Sequence, residues 1–191
     1  MAAPVPEVFA HTDPWTEAEF LALPADRQVE LLDGALLVRP SARLRHQRLS
    51  FRLAAALDAA VPPGLEVLEA INVRVSPGKI LIPDLAVVST PGLDLTMCEA
   101  ADVVAVVEIT SPGNAAADRA VMPQLYAQAG VPHYLQIELD EAGPRARVYR
   151  LQGDCYAQVA CVEPGQPLTL TEPIAVTLDL AALAAATRPS S

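Results

Sequence analysis

Two stretches dense in Val, Ile and Leu constrain the fold of this chain more than any other feature. They are Ile82-Pro83-Asp84-Leu85-Ala86-Val87-Val88 and Val103-Val104-Ala105-Val106-Val107-Glu108-Ile109-Thr110. Runs of this composition belong in central β-strands covered on both faces. Each carries one carboxylate, Asp84 or Glu108. An ionised carboxylate is costly there unless it is paired, hydrogen-bonded or bound to a cation. Two of them at the ends of neighbouring strands suggest a shared metal. A lysine is the expected companion, and the chain has only one, Lys79.

The remaining composition sets the frame. At 191 residues, with 52% hydrophobic and 19% charged residues, the chain is expected to fold as one globular domain with a substantial core. No apolar stretch is long enough to span a bilayer, and the N-terminus lacks the basic region of a signal peptide. Cys98, Cys155 and Cys161 lack metal-type spacing, which fits reduced thiols in a cytoplasmic protein. The net charge of −10 argues against avid nonspecific nucleic-acid binding. Yet Arg39, Arg43, Arg45, Arg48 and Arg52 fall in one short stretch with His46. Arg45, Arg48 and Arg52 share a helix face through i, i+3, i+7 spacing. That face could touch a phosphate backbone, or it could be a solvated face balancing the acidic remainder.

Along the chain, Thr12–Glu17 opens a helix that Thr16 or Asp13 can cap, with Pro14 at an early position and Pro24 ending it. Val29–Val38 reads as a hairpin turning at Asp33-Gly34. A long amphipathic helix is expected from about Ala42 to Ala60, stopped by Pro62-Pro63-Gly64. Strands follow at Glu66–Val75, Ile80–Val88 and Val103–Thr110. A helical stretch then reaches Ala129, and His133–Leu139 is another strand. Arg145–Leu151, Tyr156–Val162 and Leu168–Val176 read as antiparallel strands. The alanine-rich end forms a short helix, and Thr187–Ser191 a frayed tail. The sum is an α/β domain, residues 1–191, with a mixed β-sheet flanked by helices. It divides into a core of about 15–140, a C-terminal β extension 141–178 and a tail 179–191.

Several chemistries are set aside. There is no G-x-S-x-G, P-loop or G-x-G-x-x-G, and His11, His46 and His133 lack zinc spacing. The carboxylates remain. Asp84 and Glu108 suit Mg²⁺ or Mn²⁺, with the Ile109 carbonyl as a third ligand. Glu30, another acid amid apolar residues, could orient water or complete the shell. In the alternative, Asp84 caps a turn after Pro83 while Glu108 pairs with an arginine. The three acids together favour the metal site.

Several pieces, taken in order, carry a resemblance. They are Trp15-Thr16-Glu17-Ala18-Glu19-Phe20, Val29-Glu30-Leu31-Leu32-Asp33-Gly34, His46 and Pro83-Asp84-Leu85-Ala86-Val87-Val88. Val107-Glu108-Ile109-Thr110-Ser111-Pro112, Asp118-Arg119 and Leu125–Tyr134 continue the set. Over about Trp15–Asp140 the chain resembles the Uma family (its Uma-two group), restriction-endonuclease-like proteins of the PD-(D/E)XK nuclease superfamily. That resemblance implies a restriction-endonuclease-like core and metal-dependent hydrolysis of phosphodiesters, with DNA as partner and a homodimer by analogy. It makes Asp84 the "PD" aspartate, Glu108 its acidic partner and Glu30 the acid near the first helix.

The chain departs from the family at the lysine, which members commonly carry on the following helix. Met122 stands at that position, followed by Pro123. A thioether neither positions water nor offsets charge on a phosphate. Pro123 also predicts that the helix starts near Met122 or kinks there. Arg119 and Gln124 are the candidate compensators. Arg119 supplies charge but is a poor general base because it stays protonated, and Gln124 can orient water. Lys79 falls on the strand face opposite Asp84. The nucleic-acid contacts expected from the basic stretch are Arg43, Arg45, His46, Arg48 and Arg52. A nuclease fold that binds without cutting is the alternative function.

Overall fold

The computed structural model describes residues 12–24, 29–39, 42–110 and 116–185, with the side chains of 116–120 left out. The Arg119 side chain, the Ser111-Pro112 connection and the expected frayed tail lie outside the described residues.

Thr16 caps helix α1 (Glu17–Leu21), with the Glu19 carboxylate accepting in turn from the Thr16 amide in a capping box. Asp13 and Pro14 precede the helix. This lead-in segment packs on the next hairpin, where the Trp15 amide donates to the Gly34 carbonyl at 2.8 Å. The hairpin pairs β1 (Val29–Leu32) with β2 (Ala35–Val38) around Asp33 (φ 49°) and Gly34 (φ 84°), as the Asp-Gly dipeptide predicts. Any side chain at Gly34 would put its Cβ 2.7 Å from the Cβ of Pro14.

Helix α2 (Leu44–Asp58) buries Leu49, Ser50, Leu53 and Leu57 along one stripe. The two strands expected after it are each broken in the middle. Instead of Glu66–Val75 there are β3 (Glu66–Glu69) and β4 (Asn72–Ser76), parted at Ala70 with φ 52°. Instead of Ile80–Val88 there are β5 (Lys79–Leu81) and β6 (Leu85–Val88), parted at Ile82-Pro83-Asp84. Pro83 cannot donate to a ladder, so pairing lapses there. The hairpin bends at this level, and its two halves enter different sheets. Asp84 sits at the bend, where its carbonyl accepts from the Ala70 amide at 3.2 Å.

The five-stranded sheet has the order β2-β1-β5-β4-β7, with β7 at Met97–Glu99 parallel to β4. Next come β8 (Val103–Thr110), helix α3 (Ala116–Gln128), β9 (His133–Leu139), β10 (Pro144–Gln152) and β11 (Cys155–Val162). The six-stranded sheet runs β11-β10-β9-β8-β6-β3, antiparallel except between β8 and β9. Helix α3 passes through Pro123 rather than starting near Met122. One proline forfeits one helical hydrogen bond, while Met122, Tyr126 and Ala127 bury a full face of the helix.

The expected single strand Leu168–Val176 is two short ones, β12 (Leu168–Leu170) and β13 (Val176–Leu178), paired with each other. Pro173 lies in the connection, where no ladder needs its missing donor. Helix α4 (Leu180–Ala184) closes the described chain.

The six-stranded sheet separates two cores. On one face, Leu85, Val87, Val107, Leu135 and Ile137 pack with Leu49, Leu53 and Leu57 of α2 and with Leu168, Ile174 and Leu180. On the other, Ala86, Val106 and Tyr134 pack with Met122 and Tyr126 of α3 and with Val73 and Leu81 of the five-stranded sheet. Strand alternation puts Glu108 on this second face, two residues beyond Val106. No described helix is long and apolar enough to cross a membrane.

Candidate active site

Three carboxylates from three separate elements meet around one guanidinium. Glu30 comes from β1, Asp84 from the bend before β6, and Glu108 from the centre of the six-stranded sheet. Glu30 is 2% exposed and Glu108 6%. The guanidinium belongs to Arg39, the residue after β2. Its Nε lies 3.2 Å from Glu30 Oε1, its Nη1 3.8 Å from Asp84 Oδ1, and its Nη2 3.3 Å from Glu108 Oε2.

Each acid is also held by a neighbour. The Ile82 amide donates to Glu30 Oε1 at 2.8 Å. The Ile109 amide donates to Asp84 Oδ2 at 2.6 Å, so β8 fixes the carboxylate at the bend. His46 extends the buried stripe of α2 by one turn and brings Nε2 to 3.2 Å from Asp84 Oδ1. The hydroxyl of Tyr126 donates to Glu108 Oε1 at 3.2 Å.

The electrostatics follow from this crowding. Burial pushes the Glu108 carboxyl up to about 8; the Arg39 charge opposes the shift, and Asp84 and Glu30 add to it. For Arg39, burial works to lower the pKa, but Glu108, Glu30 and Asp84 outweigh it, and the guanidinium stays charged. Burial raises Tyr126 well above the usual phenol range, with Glu108 adding to the shift, so its hydroxyl remains a donor. Counted formally, three carboxylates face one guanidinium.

The acids named from the sequence are thus brought together, and the expected pairing of Glu108 with an arginine is present as well. Ile109 reaches the cluster through its amide. Gln124 is exposed, about 200° round α3 from Met122, so the expectation that it orients water at the site needs correcting. Tyr126, about 40° from Met122, is the helix residue that reaches Glu108. Lys79 is bonded to Asp33 at 2.6 Å.

Of the basic stretch, His46 joins the site and Arg43 is exposed beside it at the start of α2. Arg45 donates to the Asp140 carbonyl at 2.6 Å and Arg48 to the Ala184 carbonyl at 3.3 Å. Arg52 donates to the Leu183 and Ala185 carbonyls at 3.2 and 2.8 Å. The predicted shared face therefore exists, and it largely satisfies the open carbonyls at the end of α4.

Arg39 and Tyr126 are the site residues that sequence reasoning missed. Both had a signal. Arg39 lies two residues beyond Leu37, the register partner of Glu30. Tyr126 lies one helical turn after Met122. Among the described residues, no three His, Cys, Asp or Glu side chains form a ready cage for a metal ion.

A mixed α/β fold with antiparallel C-terminal strands and a buried acidic cluster at a bent hairpin defines a restriction-endonuclease-like protein. Residues 17–183 match the Uma2 family, described as "Putative restriction endonuclease", and the chain belongs to that family. Among solved structures it is similar to a putative nuclease of the DUF820 group from Anabaena variabilis. The TM-score is 0.72 at 18% identity, covering 90% of this chain and all of that one. A weaker likeness, TM-score 0.31 at 18% identity, covers 52% of this chain and 50% of apo NucC from E. coli MS115-1. No curated protein matches the chain.

Proposed function

We propose that this protein is a metal-dependent endonuclease that hydrolyses phosphodiester bonds in DNA. Asp84 and Glu108 would hold Mg²⁺ or Mn²⁺, with Glu30 as the third acid. The observation that carries this reading is the gathering of the three carboxylates around one guanidinium. The donor set fits a hard cation: oxygen ligands on rigid strands, buried, and negative in excess of the single guanidinium. A divalent cation bound there supplies Lewis acidity toward the phosphate and a more acidic water.

The chain's own residues do the positioning. The Ile109 amide and His46 fix both oxygens of Asp84, and the Ile82 amide orients Glu30. Tyr126 holds Glu108 from the helix side, and the apolar second core keeps bulk water away from both glutamates. Arg43, exposed beside His46, would meet the phosphate backbone. Arg45 and Arg48 line an open cavity of about 520 Å³ and stand as secondary contacts. A second copy pairing along β11, an edge strand without a charged residue, belongs to the same proposal. A purely monomeric chain in sedimentation equilibrium would remove that element.

Cleavage of plasmid and single-stranded DNA in Mg²⁺ or Mn²⁺ tests the proposal. Wild type is expected to cut and Asp84→Ala to be inactive; activity that survives Asp84→Ala would place the site elsewhere. One observation favours a second reading, a nuclease fold that binds without cutting. Met122 is packed in the apolar core and brings no charge to the phosphate. If Met122→Lys cuts and wild type does not, the second reading holds.

A further inference from the structure

We propose that Arg39 is a transferable cation and the positively charged catalytic residue of this site. In the resting protein it pairs with the carboxylates and offsets part of their charge. When a divalent cation takes Asp84 and Glu108, the guanidinium moves to the substrate phosphate. The inference rests on the nuclease reading only for the identity of the substrate.

Three observations carry it. First, the guanidinium stands where an ion would have to enter. Ions of this class sit about 2.1 Å from their oxygens. An ion bridging Asp84 and Glu108 would compete with the guanidinium, which already lies 3.8 and 3.3 Å from the same two oxygens. Second, among the described residues the position of the missing lysine carries no charge, and two further cations are engaged elsewhere. Met122 is a buried thioether, Lys79 is bonded to Asp33, and Arg52 to the end of α4. Third, Arg39 lies toward the rim of the fold. Its side chain is 25% exposed, and it follows β2, an edge strand of the five-stranded sheet. Moving it breaks no central ladder. A guanidinium also suits the destination, because its fork of donors matches phosphate oxygens as well as carboxylates.

Metal and nucleic acid should then bind cooperatively. The cation must displace Arg39 from the carboxylates, and a phosphate alongside gives the guanidinium a new partner. By linkage, each ligand raises the affinity for the other.

The test is Mn²⁺ titration of the full-length protein, followed by the EPR signal of free Mn²⁺, with and without a short phosphorothioate DNA duplex that resists cleavage. Arg39→Gln is expected to bind Mn²⁺ at least tenfold more tightly than wild type without DNA. The duplex should tighten Mn²⁺ binding several-fold in wild type and leave the variant unchanged. At saturating Mn²⁺, cleavage of an unmodified duplex should fall at least a hundredfold in the variant. Equal or weaker Mn²⁺ binding by Arg39→Gln would overturn the proposal, as would an equal duplex effect in both proteins. Should Arg39→Gln fail to fold, the wild-type arm decides alone, since a duplex without effect on Mn²⁺ affinity overturns it too. Coupled binding without cleavage of any DNA would remove the nuclease reading and the catalytic role of Arg39 with it, and leave only the cation transfer standing. Absence of Mn²⁺ binding in both proteins removes both.

Discussion

Replacing Glu108 by glutamine separates the two demands placed on that position. Burial holds its carboxyl at about 8 against an ordinary 4.5. Between those values the native protein binds more protons than the unfolded chain. The contribution of Glu108 to metal-free stability is therefore fullest below pH 4.5 and falls as pH rises toward 8. At pH 7 the interval above 4.5 is 2.5 units, and at 1.36 kcal/mol per unit the penalty is about 3 kcal/mol. Glutamine has the shape of the protonated acid and no charge to desolvate, so Glu108→Gln removes that penalty. For a chain of this length the gain is a rise in Tm of roughly 6–12 °C at pH 7, vanishing near pH 4. The assay is thermal unfolding by far-UV circular dichroism in EDTA across pH 4 to 7.5. Saturating Mn²⁺ should narrow the gap at pH 7, because wild type gains binding energy and the variant does not. A variant that melts at or below wild type at pH 7, by a margin independent of pH, would refute the reasoning. Glu108 would then be ionised and fully compensated by Arg39.

Three further outcomes are expected. Gly34→Ala should lose about 1–3 kcal/mol in urea unfolding, because φ 84° and the approach of Pro14 both oppose a side chain. Burial and then Arg150 hold His133 below its ordinary 6.5, against a raising effect of Glu172, so stability is lost as pH falls below 6.5. His133→Gln should therefore raise Tm at pH 5.5 and leave it unchanged at pH 8; an equal shift at both would show that charge is not the cause. Arg52→Ala should raise hydrogen exchange across 180–185 and leave DNA affinity unaltered, whereas a drop in affinity alone would make Arg52 a phosphate contact after all.

Elements bounded by chemistry could be read from the sequence to the residue. Strand Val103–Thr110 is a nearly continuous apolar run, His133–Leu139 mixes polar and apolar residues after a Val-Pro exit, and the structure has both at those limits. The broken strands were harder. Ala70 takes a left-handed conformation without any residue that favours one. The break follows from the tertiary need to pass from one sheet to the other. Pro83 and Pro173 were warnings of a different kind. Both sit inside segments taken as strands, and a proline there argues against a regular ladder.

The acids of the site were legible because each is an expensive residue in an apolar run. Their arginine was legible in part. The Asp33-Gly34 turn fixes the hairpin register, which sets Leu37 opposite Glu30 and Arg39 two residues on, on the same face. A diagonal pairing of Arg39 with Glu30 follows from that arithmetic alone. Helix angles likewise favoured Tyr126 over Gln124. The meeting of Arg39 with Asp84 and Glu108 has no local signal. It depends on the bend at Ile82-Pro83-Asp84, which turns β6 into the second sheet and carries Asp84 to β8.

An arginine just beyond an edge strand and a lysine on the site helix would serve such a cluster differently. A lysine presents one compact charge and shifts its pKa readily when buried. A guanidinium keeps its charge and offers five donors in a fork, enough to touch three carboxylates at once. The metal-free fold gains most from the second kind, because each acid left without a partner would cost several kcal/mol. The same contacts are what an entering cation must break. The contacts that make Arg39 a good counter-ion for the empty cluster should therefore set the cation concentration at which the site fills. A lysine at position 122 would approach from α3, beside Tyr126, leaving Arg39 between the acids. Met122→Lys is then expected to add charge near the phosphate without relieving the competition. Its Mn²⁺ affinity should be no higher than that of wild type, even where its turnover is.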